Sequence, residues 1–226
     1  MPNWVRNHAA AQVAEQFTGW DRGTPYAGKR PPASVTRAVC KTCNGWMNSQ
    51  YENPAKPILI PLIAGQAHTM PATAVDLIAR WIAKTVLMRA LVDRTPTALI
   101  PVAEYRRFRV EGTPSARCWI YIGALDESAA GQHLPVGPQP GTPPAKSGGT
   151  RGTWLAYTAT LVIGRLAAQY VHSFDGARYI PAAERAGLVG AIWPPTNRAL
   201  AWPPPATITV ENARLLDLMT ARPETG

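Results

Sequence analysis

Apolar and polar positions along this chain repeat with two different periods. Between Trp4 and Phe17, Val5, Ala9, Val13 and Phe17 recur at helical spacing, and Asn3 stands where a side-chain cap would begin that helix. Residues 18–34 carry Gly, Pro and the cations Arg22, Lys29 and Arg30, and read as an irregular basic loop. Val35–Val39 reads as a short strand leading into Cys40. Cys43–Glu52 reads as a short helix that Pro54 and Pro57 limit, and Pro61 is expected to break the run Ile58-Leu59-Ile60.

The strongest helical pattern runs from Ala74 to Val92. Leu77, Ile78, Trp81, Ile82, Thr85, Val86 and Met88 form a broad apolar face, so this is expected to be a core helix with Trp81 as packing. Thr73 and Asp76 resemble a capping box, and Asp76 and Arg80 are i, i+4 partners on the polar side. Further on, Trp119, Ile120, Tyr121 and Ile122 mark Cys118–Leu125 as a strand. Gly131–Gly152 is rich in Gly and Pro and predicts a long flexible loop. Leu155–Val171 predicts one bent strand or two, with Gly164-Arg165 suited to a type II′ turn. Two similar segments follow, Ile192-Trp193-Pro194-Pro195 and Ala201-Trp202-Pro203-Pro204-Pro205, and a last helix is expected over Val210–Ala221, capped by Thr209. The whole pattern is α+β.

Length and composition narrow the classes. With 226 residues and 46% hydrophobic content the chain can build a core, which excludes general disorder. No run approaches about 18 apolar residues, so no membrane span is expected. The opening Met-Pro-Asn-Trp-Val-Arg lacks an apolar leader region, which makes the cytoplasm the expected compartment. A net charge of +9, from 23 basic and 14 acidic residues, points to a polyanionic partner, nucleic acid being the commonest, although a solvated basic surface has the same composition.

Candidate chemistry concentrates at Cys40-Lys41-Thr42-Cys43. Three readings are open: a redox dithiol, two of the four ligands of a zinc knuckle, or two unrelated thiols near a loop. A redox pair would follow a strand in a βαβ context, which the flanking residues do not show. A zinc site needs two more ligands. Cys118 lies in a strand and reads as a small buried hydrophobe, and neither His8 nor His68 has useful spacing to a further ligand.

Val39-Cys40-Lys41-Thr42-Cys43-Asn44-Gly45-Trp46-Met47, then Glu52, then Ala55-Lys56-Pro57-Ile58-Leu59 resembles a bacterial and phage group of HNH-endonuclease-like proteins. Ala79–Thr85 and the two Trp-Pro segments resemble that group more weakly. The resemblance implies a small ββα-metal-like segment within residues 1–70, packed on a larger mixed helix and antiparallel-sheet companion domain over residues 71–226. It implies metal-dependent DNA cleavage, with Cys40 and Cys43 as structural Zn²⁺ ligands and Asn44 at a position where relatives ligate a catalytic Mg²⁺ or Mn²⁺; a turn-forming role for Asn44 stays open. Lys29, Arg30, Arg37, Lys41 and Lys56 become candidate phosphate contacts. In the group, a first C-x-x-C and a Glu-His pair precede a Pro-x-Trp, which Pro2-Asn3-Trp4 matches. The expectation is therefore that the general base and half the zinc site would lie before Met1. His8 is a remote substitute for the base. Trp46 and Met47 are expected to pack in the core. Two alternatives remain: a non-catalytic nucleic-acid-binding remnant, and a structural or phage accessory protein.

Overall fold

The structure, a computed structural model, describes residues 17–21, 24–28, 39–92, 100–130, 156–216 and 219–222. The expected first helix and the loop over 131–152 fall outside these residues, except for Phe17, which begins a strand. β1 (Phe17–Asp21) and β2 (Thr24–Gly28) form an antiparallel hairpin, with Phe17 opposite Gly28 and Asp21 opposite Thr24. This corrects the irregular loop expected over residues 18–34. Thr18, Trp20, Thr24 and Tyr26 are strand formers, and their preference prevails over the Gly and Pro content around them. Val39, expected to end a strand, sits in a bend before the next helix.

A second correction concerns the prolines. α1 (Lys41–Met47) passes into a π-helical turn (Asn48–Glu52) and then directly into α2 (Asn53–Ile63), so Pro54, Pro57 and Pro61 do not end the helix. The π turn accounts for the first of them. A proline ring collides with the carbonyl four residues before it. Through 48–52 the helix is widened, with the N–H of Asn53 reaching back to the carbonyl of Asn48, which moves the carbonyls ahead of Pro54. The three prolines also share one face of the helix. Pro54 and Pro57 are exposed and Pro61 is partly so, which leaves water to satisfy the carbonyls that lose their donors. The opposite face buries Ala55, Leu59, Leu62 and Ile63, and that burial holds the helix together.

After the short strand β3 (His68–Met70), α3 (Ala72–Val92) runs close to the expected bounds. Arg80 and Asp76 pair at 2.7 Å across one turn. Thr73 is not its cap: the helix starts at Ala72, and the carbonyl of Pro71 accepts the N–H groups of Ala74 and Val75. α4 (Val102–Glu111) follows.

The main sheet has the order β5-β6-β4-β8, all antiparallel: β4 (Cys118–Ala124), β5 (Ala156–Ile163), β6 (Leu166–Ser173) and β8 (Gly190–Trp193). Every residue of β4 is buried because both faces of the sheet are covered. Cys118, Ile120, Ile122 and Ala124 pack with α2 and α3 in one core, whereas Trp119 and Tyr121 pack with Tyr179, Leu188, Ile208 and Leu216 in a second. The expected strand over 155–171 resolves into β5 and β6. Gly164 has φ +56° and Arg165 has no positive φ, the sign pattern of a type II′ turn. A side chain at 164 would also strike the carbonyl of Ile63, which accepts the N–H of Arg165 at 2.8 Å.

β7 (Arg178–Pro181), the short α5 (Ala182–Arg185) and a 3₁₀ turn (Ala213–Leu216) build the layer behind the sheet. The Trp-Pro segments end β8 and β9 (Leu200–Trp202), the latter paired with β3. The last expected helix is corrected. Thr209 does cap a turn, exchanging hydrogen bonds with Asn212, but the chain then forms β10 (Met219–Arg222), antiparallel to β7. An open edge on β7 outweighs the helical pattern of residues 210–221. No helix among the described residues is long and apolar enough to cross a membrane.

Candidate functional site

The C-x-x-C opens the helix. Cys40 is the N-cap, its Sγ accepts the N–H of Cys43 at 3.3 Å, and its carbonyl accepts the N–H of Asn44 at 2.9 Å. Cysteine here takes the place of Ser or Asp as acceptor for an orphan helix N–H. Cys40 is exposed and Cys43 half-buried. Hydrogen bonds from the backbone and then the thiol of Cys43 hold the Cys40 thiol below its usual range, with a smaller contribution from the Arg109 guanidinium. Cys43, donating to Cys40, is raised above its usual range, first by that bond and then by burial, while Arg109 opposes both. The pair is thus one acceptor sulfur and one donor thiol.

The fit to the metals that the motif implies is partial. Two thiols in this position suit zinc. Among the described residues, no group of three His, Cys, Asp or Glu could hold a metal ion, so neither His68 nor Cys118 completes the set there. Cys118 lies fully buried in β4, and burial pushes its thiol far above the usual range. Asn44 is exposed in the first helical turn.

Of the expected phosphate contacts, Lys41 and Lys56 are exposed on α1 and α2, and Lys29, Arg30 and Arg37 lie outside the described residues. Met47 packs in the core as expected, but Trp46 is 36% exposed and lies perpendicular to Tyr51, ring centres 5.5 Å apart.

A charged cluster that the sequence reading passed over lies twelve residues beyond Cys40. Glu52, 4% exposed, accepts the Trp81 Nε1–H at 2.9 Å and is ion-paired with Lys84, itself 6% exposed. The Lys84 ammonium also lies 5.7 Å from the centre of the Trp81 ring. Burial pushes Lys84 down to about 7, and the carboxylate in contact with it favours the charged form and works against that shift. Both charged groups of the cluster are buried. The cluster fastens the π turn to α3 and so fixes the direction of the helix that begins at Cys40. Its sequence signal was a lysine embedded in the apolar face formed by Trp81, Ile82, Thr85 and Val86.

One further depression, about 450 Å³, is lined by Val75, Ala191, Ile192, Thr196, Arg198, Ala199 and Leu200. Arg198 is its one ionisable lining residue, which offers neither a nucleophile nor a base. Compared with protein-family models, with curated proteins and with solved structures, the chain matches none.

Proposed function

We propose that this chain is a DNA-binding protein of the HNH-endonuclease-like kind, with Cys40 and Cys43 as two thiolates of a structural zinc and the cations around them as phosphate contacts. The observation that carries the reading is an exposed Cys40 capping, beside a half-buried Cys43, a helix whose far end is clamped by Glu52 and Lys84. A turn held this firmly presents Lys41 in a fixed place, and zinc would tie the turn to whatever supplies its remaining ligands. The net charge of +9 supplies the sign that a phosphate backbone requires. Binding of this kind is sequence-indifferent and driven by counterion release.

The test is fluorescence anisotropy of a labelled DNA duplex titrated with the full chain at increasing salt. Affinity is expected to fall steeply, as a straight line in log K against log salt. Salt-independent affinity, or no binding at low salt, overturns the reading. Supercoiled plasmid incubated with the chain and Mg²⁺ or Mn²⁺ then asks whether hydrolysis accompanies binding. Nicking that Asn44→Ala abolishes would place a catalytic centre at this turn.

A further inference from the structure

The arginines of α4 are divided into two sets. Arg107 is engaged with Glu104 at 3.2 Å and Glu111 at 2.8 Å, and it also reaches the carbonyls of Thr113 and Pro114. Both acids of the helix are thereby occupied. Arg106 and Arg109, three residues apart, share the exposed face, and neither is ion-paired among the described residues. The same face carries Val110, 85% exposed, and Val102, 51% exposed.

α4 is locked beside the cysteine turn. Phe108, on its inner side, is buried and stacks 5.4 Å from Tyr51. The Tyr51 hydroxyl donates to the carbonyl of Gly112 at 3.4 Å. Gly112 ends the helix with φ +70°, a conformation that disfavours any side chain, and a Cβ there would crowd the Tyr51 hydroxyl at 3.3 Å. Tyr51 belongs to the π turn that continues from α1, so α4 and the C-x-x-C helix are held as one piece.

We propose that the exposed face of α4 is part of the DNA-binding surface, with Arg106 and Arg109 taking backbone phosphates beside Lys41 and with Val102 and Val110, which flank them along the helix, lying against the duplex. This rests on the DNA-binding reading above and extends it to a helix outside the C-x-x-C segment. Charge complementarity names the partner. The face has two guanidiniums without an ion pair among the described residues, whose planar fork suits phosphate, and carboxylates that are already occupied.

The experiment compares three full-length proteins by anisotropy on a labelled duplex over a salt series: the unaltered chain, Arg106→Ala/Arg109→Ala, and Arg185→Ala/Arg214→Ala. The last pair removes the same charge from exposed positions in the layer behind the sheet. The α4 double variant is expected to bind about tenfold more weakly, with a log–log salt slope shallower by about 2, while the control pair stays near the unaltered chain. Thermal unfolding confirms that each variant is folded, and Arg106→Gln/Arg109→Gln repeats the test if the alanine pair is not. If the unaltered chain binds with steep salt dependence and the two double variants are equally affected, or both unaffected, the α4 surface is overturned and the DNA-binding reading stands. If the unaltered chain does not bind, both fall.

Discussion

The two ends of the helical run from Cys40 to Glu52 handle polar groups in opposite ways. At the first end, Cys40 and Lys41 face water, Cys43 is half-buried, and the Cys40 sulfur serves as the N-cap. At the other end, a carboxylate, an ammonium and an indole N–H are sealed from water and satisfy one another. An exposed polar group costs little when its partner is removed, because water replaces the partner. A buried charge has no replacement. The comparison separates a part that can be chemically active from a part that fixes its position. It also cautions against taking the most unusual ionisable group, here Lys84, as the centre of function.

The largest expected effect lies at the buried end. Glu52→Ala leaves the Lys84 ammonium and the Trp81 N–H without their partner and should destabilise the protein by about 3–5 kcal/mol, seen as a fall of the thermal midpoint on the order of 10 °C. The double replacement Glu52→Gln/Lys84→Met, which removes both charges at similar volume, should recover most of that loss. If the single and double variants are equally unstable, the cluster is a matter of shape rather than charge.

A smaller effect is expected at the exposed end. Cys40→Ala/Cys43→Ala should leave the midpoint within about 3 °C, the scale of one weak cap, while lowering the zinc retained after dialysis against a stoichiometric load. A large loss of stability in metal-free buffer would show that the turn is part of the fold's support, and the contrast between the two ends would disappear.

The smallest effect is kinetic and concerns the thiols themselves. With limiting iodoacetamide at neutral pH, mass spectrometry should find Cys40 alkylated before Cys43, and Cys118 unmodified in the folded chain. The order follows from an exposed thiol with lowered pKa, a half-buried one with raised pKa, and a fully buried one. Equal labelling of Cys40 and Cys43 would remove the asymmetry of the pair.

What the amino-acid order determined by itself was whatever repeats over short range. All but the first two residues of α3, the β4 strand and the extended run over 155–171 with its Gly164 turn were legible because each carries its own period or turn residue, although one bent strand or two stayed open for that run. So was the Asp76–Arg80 pair, whose partners are one turn apart. The C-x-x-C was legible as a motif for the same reason: its spacing is local. Tertiary structure decided the rest. The helix continues through Pro54, Pro57 and Pro61 because Leu59, Leu62 and Ile63 are buried against α3 and the sheet, a gain that local propensity does not contain. Residues 219–222 form a strand because β7 offers them an edge. The Glu52–Lys84 pair and the Tyr51–Phe108 contact that holds α4 join residues far apart in sequence. Contacts of that kind have no period to read, since they are set by how the faces of separate elements meet.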